Sequence, residues 1–544
     1  MEFIKNLLRE HFVLFLIIIL GSILRLWQLG IVPQGVTHDE MGYIFNAYSI
    51  ALTGKNVFGE TMPFLTWMFK GGFPFMPGTT YAIVPIFWIF PLSAMAGRLP
   101  SAILGIADIS LIYILVMQLF QKKNLALLSA LFLAVSPWHL HFARSAYDPN
   151  FSLFFYLFGT VLFLFEIKTK KLPIFSSLAF LIGIYSYRGM SIVAFPLFFI
   201  LLSYAFFVMK ARKKQIIFFL CSIVIILMSL AAVTLSIGSS YITEGQTILS
   251  NPKMQEEIDT KIREAGGPLI VRRIFINKPV QIINNFRENY IKSYSPEFLF
   301  LYTEPNQIYS IWSRGRLYFI DLIFSILGGI YLYKLKKKQA LFIFSLFLIG
   351  SLPGGVGGLP FSARNFFLSI IFPILSSGGV LFLIEEKILK KLKPAIIIAI
   401  VIIYAYAISG YLFDYYYRYS DQASESWAKS LKDVSSYINN TKNSYRKIIV
   451  APSSFGDFVQ YAFYTHLSPI EVQRVWLSRI SSNAEEELKY KNIYFLSSCP
   501  EKEKDMQKNS ESILYISRGN CLKNSKVKET IRDFYRNEVW KIYN

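Results

Sequence analysis

The sequence predicts a mainly helical, polytopic membrane protein with a small α/β domain on its outer face. Three observations predict it. The chain of 544 residues is 53% hydrophobic, with a mean hydropathy of +0.41, which is more apolar surface than a soluble chain can bury. Long apolar spans alternate with short basic runs. Beyond residue 413 the apolar runs shorten to strand length and charged segments separate them.

Eleven apolar spans stand near 11–29, 98–120, 125–143, 151–167, 173–187, 191–209, 215–237, 317–333, 340–352, 365–384 and 395–413. Some are short unless their ends extend into the interface. The runs Lys5/Arg9, Lys122/Lys123, Lys168–Lys171, Lys210–Lys214, Lys334–Lys338 and Lys387–Lys393 fall on one side of these spans. The positive-inside rule makes that side cytoplasmic. The expectation is a multi-pass protein of the cell membrane, amino terminus inside and carboxyl-terminal domain outside. The outer segments are then 30–97, 138–150, 188–190, 238–316, 353–364 and 414–544. Residues 1–413 form the membrane domain and 414–544 the outer one. The apolar stretch 81–95 holds two prolines and fits an interfacial or re-entrant segment. The first span lacks a small-residue cleavage site and is expected to persist as a helix. The net charge of +21 is accounted for by these topogenic runs, so no nucleic-acid partner is implied. Aromatics at 17% suit lipid-facing helices and interfacial belts.

In the outer domain, 447–454, 492–498 and 512–517 read as strands, and 425–439 and 483–489 as helices. Three cysteines without a Cys-x-x-Cys pair argue against a zinc or redox site. Cys499 and Cys521 each follow a strand, and spacing leaves their pairing open.

The groups able to carry chemistry lie at outer helix ends. Residues 33–50, PQGVTHDEMGYIFNAYSI, place Asp39 and Glu40 beside His38, Tyr43 and Asn46 just past the first span. An acid there is either a solvated helix start or a general base for an attacking hydroxyl. Asp39 is expected as base and Glu40 as its support, through a hydrogen bond to a later loop. Arg98 opens the second span, as an interfacial anchor or as a bidentate phosphate clamp. Residues 136–150, SPWHLHFARSAYDPN, gather Trp138, His139, His141, Arg144, Tyr147 and Asp148. Arg144 and Asp148 would pair at i, i+4 on a helix, unless Asp148 is a second acid of the site. Arg188 and Arg364 are isolated cations at outer helix ends, which together with Arg98 could ring a phosphate. Tyr290, Ser295, Pro296, Gly315 and Asp321 stand out without a role.

The chain resembles the protein O-mannosyltransferase and aminoarabinose-transferase superfamily, above all its bacterial family-39-type members of GT-C fold. HDEMGYIFNAYSIALTGKNVFGE (38–60), AGRLPSAILG (96–105), AVSPWHLHFARSAYDPNF (134–151), IGIYSYRG (182–189), NFRENYIKSYSPEFLF (285–300) and FSARNFF (361–367) carry the resemblance, in family order. It implies a polyprenyl-monophosphate sugar as donor and transfer at the outer face, to a glycan, lipid or protein acceptor. It implies that Asp39 is the first-loop catalytic acid, that Arg98 contacts the lipid phosphate and that Asp148 is the second-loop acid. The chain departs from the family in having Asp-Pro-Asn at 148–150 in place of the more usual acid. Arg188 and Arg364 join Arg98 as candidate phosphate ligands. His38, Tyr43, Asn46, His141 and Arg144 are candidate substrate-binding groups. No cofactor is required, since arginines can neutralise a monophosphate, although Asp39, Glu40 and Asp148 could hold a divalent cation.

Two other readings compete. A transporter or flippase of lipid-linked sugars would carry ionisable groups along its spans. Here Asp108 is the clear one, with Arg25 and Asp321 nearer the outer interface. A surface-polysaccharide ligase or polymerase would share the outer loops but would ordinarily take a diphosphate carrier.

Overall fold

The computed structural model describes residues 2–67, 74–237, 247–249, 251, 253–301, 304, 306–311, 314–386, 391–481, 487–499, 513–519, 521–522 and 526–543. The expected outer loop at 238–316 and the basic run at 387–393 therefore fall partly outside the described residues. The chain divides into two compact units. One comprises Met1–Arg25, Ser101–Ala143 and Asp148–Tyr411, the other Leu26–Pro100, Arg144–Tyr147 and Leu412–Asn544. The division into 1–413 and 414–544 follows chain order. The units follow packing, and they group the first outer loop with the carboxyl-terminal segment.

The first unit is helical, and helices stand at the predicted places. Among the described residues seven are long and apolar enough to cross a membrane: Ala94–Phe120, Asp148–Lys168, Arg188–Phe207, Lys213–Ser236, Lys337–Val356, Phe366–Glu385 and Lys393–Gln422. Lys123–Val135 and Pro137–Ala143 make an eighth if the pair is one span bent by 58°. The bend has a local cause. Ser136 precedes Pro137, and the proline ring drives it out of the helical region to φ −61°, ψ 123°. His11–Leu26, Ile174–Ile184 and Asp321–Leu335 are shorter. At 1.5 Å per residue the 11 residues of Ile174–Ile184 reach about 17 Å, against a hydrocarbon core of about 30 Å. Asp321–Leu335 packs closely on Ile371–Glu385. A Cβ on Gly328 would stand 1.7 Å from the Leu375 carbonyl oxygen, so only glycine lets these backbones approach.

The second unit contains a six-stranded mixed sheet. Its strands are β1 (Lys447–Ala451), β2 (Glu487–Tyr490), β3 (Ile493–Leu496), β4 (Ile513–Arg518), β5 (Val527–Arg532) and β6 (Glu538–Tyr543), in the order β2-β3-β1-β4-β6-β5. β1 runs parallel to β3 and β4, and the other pairs are antiparallel. β1, β3 and β4 are the three predicted strands. β2 replaces the helix expected at 483–489, of which 483–486 lie outside the described residues. Its burial alternates, with Leu488 and Tyr490 inward and Glu487 and Lys489 outward. That is a strand period, set by pairing with β3 and too short to read from sequence. β5 was missed because its sequence, VKETIR, is largely polar and sits at a sheet edge. The helix expected at 425–439 runs Lys429–Thr441, after Ala428 adopts φ 54°. Cys499 and Cys521 are joined in a disulfide with Cα atoms 5.4 Å apart. In the stretch expected to be interfacial, Pro77–Ile83 and Val84–Trp88 form two short helical segments, with Trp88 and Ile89 exposed.

Candidate active site

The second unit is organised around the helix His38–Thr53. Thr37 caps it, accepting from the Glu40 amide at 3.2 Å, and the Thr37 hydroxyl meets the Tyr147 hydroxyl at 2.5 Å. Asp39 and Glu40 lie in the first turn, where the helix dipole favours carboxylates. Adjacent residues on a helix diverge by about 100°, and here the two acids have opposite fates.

Glu40 is fully buried. The Arg98 Nε donates to its Oε1 and the Arg98 Nη2 to its Oε2, each at 2.9 Å. The Ala146 amide, from the later loop, donates to Oε1 at 2.8 Å. Arg98 is buried as completely and spends its remaining N–H groups on the carbonyls of Leu29, Pro33 and Gly35 at 3.2, 3.1 and 2.8 Å. Its guanidinium also lies 5.3 Å from the centre of the Trp427 ring. A guanidinium has five N–H donors, and all five are used. Arg98 therefore does not stand open as a phosphate ligand, which corrects that expectation: it neutralises Glu40 and pins the chain at 29–35.

Asp39 faces the other way. Its side chain is exposed, and no hydrogen bond engages its carboxylate among the described residues. Although accessible to water, it lies in crowded surroundings. That crowding raises its pKa above the ordinary carboxylate value, while neighbouring His38 pulls it down. An accessible, unpaired carboxylate with a raised pKa is what a general base requires.

The expected substrate-binding groups of this unit are largely spent on packing. Tyr43 is buried with its ring 4.3 Å from that of Phe75. Asn46 donates to Gly42 and Trp67 carbonyls at 2.7 and 3.0 Å and accepts from the Val57 amide, tying down the loop after the helix. Arg144 is buried, donating to the Val32 carbonyl and the Tyr415 hydroxyl at 3.1 and 3.3 Å and lying over the rings of Tyr415 and Tyr416. These three are corrected to structural positions. His38 remains 42% exposed, 3.4 Å from Asp457.

Several supporting residues left no sequence signal as site residues. Asp457 faces His38. Gln460 donates to the Val36 carbonyl at 2.8 Å, and Gln473 donates to Ser49, Thr53 and Asn56 at 3.1 Å each. They lie more than 400 residues along the chain from their partners, and spacing carries no information at that range. Ser454-x-x-Asp457 is a legible capping box, but its contact to His38 is tertiary.

The other predicted groups belong to the first unit. His141 is buried, with Nε2 2.8 Å from the Ile308 carbonyl oxygen. Asp148 is half-buried at the start of Asp148–Lys168. Arg188 is half-exposed in a short helical turn, Arg188–Met190. Arg364 is half-exposed, donates to the Gly357 carbonyl and lies over the Phe361 ring at 5.5 Å. Asp108, His139 and Arg25 cluster within this unit. His139 Nε2 lies 3.2 Å from Asp108 Oδ2, and Arg25 reaches His139 Nδ1 at 2.9 Å. Among the described residues no three His, Cys, Asp or Glu side chains converge as metal ligands.

Residues 74–235 match the family of dolichyl-phosphate-mannose-protein mannosyltransferases. The match covers less than half of the chain, and no curated protein matches it. Among solved structures, ArnT from Cupriavidus metallidurans bound to undecaprenyl phosphate is similar at 10% identity, over 97% of each chain, with a TM-score of 0.51. ArnT in the apo state is similar at 11% identity, also over 97% of each chain, with a TM-score of 0.44. AglB, the oligosaccharyltransferase of Archaeoglobus fulgidus in complex with an inhibitory peptide and a dolichol-phosphate, is similar at 11% identity and a TM-score of 0.44. That likeness covers 84% of this chain but 64% of AglB, under two thirds of its length. The likeness to ArnT with undecaprenyl phosphate establishes the expected fold: a multi-pass membrane protein of GT-C type with a small sheet domain.

Proposed function

We propose that the protein is a glycosyltransferase that moves a sugar from a polyprenyl-monophosphate carrier to an acceptor hydroxyl at the outer membrane face, with inversion and with Asp39 as base. The observation that carries this reading is the division of labour in one helical turn. Glu40 is locked by Arg98, while Asp39 is accessible and unpaired among the described residues. The family matched by residues 74–235 and the lipid phosphate bound by the similar ArnT support the donor class.

In this mechanism the Asp39 carboxylate takes the proton of the acceptor hydroxyl. The acceptor oxygen forms a bond to the anomeric carbon as the bond from that carbon to the phosphate oxygen breaks. The electron pair leaves with the polyprenyl phosphate, which needs no proton to depart. Arg364 and Arg188 remain the cations proposed for that phosphate, and Asp148 the second acid. His38 and His141 are retained as acceptor-side groups. A positioned base is worth about 10²–10⁴ in rate. Asp39→Asn should cut transfer by that factor in membranes supplied with donor and leave protein level and lipid-phosphate binding unchanged. Native transfer by Asp39→Asn overturns the assignment.

One observation favours transport instead: the ionisable cluster of Asp108, His139 and Arg25. Arg25 is, however, also bonded to the carbonyls of Gly21, Leu133 and Ala134 at 3.2, 3.2 and 2.9 Å. A charge fastened to three carbonyls is a helix clamp rather than a moving relay.

A further inference from the structure

Within the helical unit, Asp321–Leu335, Lys337–Ile349 and Ile371–Glu385 border a cavity of about 900 Å³. Its walls are apolar, among them Ile326, Ile330, Leu341, Phe344 and Leu375. Ile326, Ile330 and Phe344 are 63%, 45% and 54% exposed, so the cavity opens sideways, toward the hydrocarbon of a surrounding bilayer. The volume lies within the range of ligand cavities. Open apolar space at that depth takes up hydrocarbon in preference to water.

One end of the cavity is charged. Among the described residues Lys334 is the one ionised side chain that lines it. It is exposed, its ammonium lies 5.1 Å from the centre of the Phe382 ring, and no carboxylate pairs with it among the described residues. It belongs to the basic run 334–338, on the side of the membrane that the charge alternation makes cytoplasmic. Among the described residues the opposite end offers no cation: the Tyr294 hydroxyl there donates to the Phe347 carbonyl at 2.6 Å.

We infer that this cavity binds one anionic phospholipid of the cytoplasmic leaflet, with an acyl chain between the helices and the headgroup phosphate at Lys334. A zwitterionic lipid brings its own cation to compete for that phosphate, whereas an anionic headgroup leaves it to the lysine. The donor phosphate of the proposed reaction belongs to the other face, so this site is distinct from the transfer site and does not depend on that reading.

Gly329 lines the cavity, and a Cβ placed on it meets nothing within 4 Å. Gly329→Phe therefore fills the space without striking the backbone. The experiment is native mass spectrometry of the full-length protein released from nanodiscs of equal phosphatidylglycerol and phosphatidylcholine with identical chains. The native protein should retain one phosphatidylglycerol, at least several-fold in preference to phosphatidylcholine. Lys334→Gln should abolish the preference, and Gly329→Phe should abolish the bound lipid with the thermal midpoint unchanged. The proposal fails if Lys334→Gln keeps the preference, if folded Gly329→Phe keeps the lipid, or if added undecaprenyl phosphate alone occupies the site. Should Gly329→Phe fail to assemble, Lys334→Gln decides alone, since it alters an exposed side chain.

Discussion

Arg98 holds both oxygens of Glu40 at 2.9 Å, with neither side chain exposed to water. The pair joins the start of the helix His38–Thr53 to the start of Ala94–Phe120. Through its other donors Arg98 also fixes the carbonyls of Leu29, Pro33 and Gly35.

Breaking that pair should therefore damage the fold before the chemistry. Removing one partner of a buried ion pair costs about 3–5 kcal/mol, because the other charge is left unpaired. Glu40→Gln and Arg98→Ala should each lower the thermal midpoint of the detergent-solubilised protein. Arg98→Lys should lower it too, since an ammonium cannot reproduce the planar fork. If Arg98→Lys keeps the native midpoint and raises only the KM for donor, Arg98 is a phosphate ligand after all.

The pH dependence of transfer should report Asp39. A base works deprotonated, so activity falls as pH drops through its pKa. Crowding raises that pKa from the ordinary value of about 3.9. The acid limb of kcat/KM should then lie above the range of a solvent-exposed aspartate. The residual activity of Asp39→Asn should lack the limb. A limb retained in Asp39→Asn would assign it to another group.

Asp457 makes an opposite, structural prediction. Burial would raise its pKa, but His38, Arg518 and the Ser454 amide overcome that and hold it below the usual value. A carboxylate with a depressed folded pKa adds stability above its unfolded pKa of about 3.9 and loses it as pH falls through the folded value. Its carboxylate also accepts from the Ser454 amide at 2.6 Å. Asp457→Ala should cost about 0.5–2 kcal/mol, as for a lost helix cap, at neutral pH. The difference from the native protein should shrink below pH 4, as read by thermal unfolding. A constant difference across that range would remove the charge from the explanation.

Topology is testable at Asn440, which is exposed at the end of Lys429–Thr441. The free thiol of Cys221 is exposed and is first replaced by serine. Asn440→Cys in that background should react with a membrane-impermeant maleimide in intact cells. Labelling confined to lysed cells would invert the orientation.

Local pattern determined a good deal by itself. Apolar length placed the helices, and dense β-branched and aromatic runs placed β1, β3 and β4, because those signals are carried by neighbouring residues. It also marked Asp39 and Glu40 as the acids of the first outer helix. It set Asp39 as base and Glu40 as support through a bond to a later loop, but which partners turn Glu40 inward was beyond it. Side chains about 100° apart on one turn are equivalent until a partner arrives, and the partners are Arg98 and Ala146, 58 and 106 residues away. The same limit hid β2, β5 and β6, which owe their form to cross-strand pairing, and the contacts of Gln460 and Gln473 to the first loop, each spanning 424 residues. It made Arg98 look like an open cation, since a sequence shows a charge but not whether its five donors are already taken. Only the folded chain, where burial obliges each polar group to find a partner, shows Arg98 and Ala146 holding Glu40 while Asp39 stays exposed.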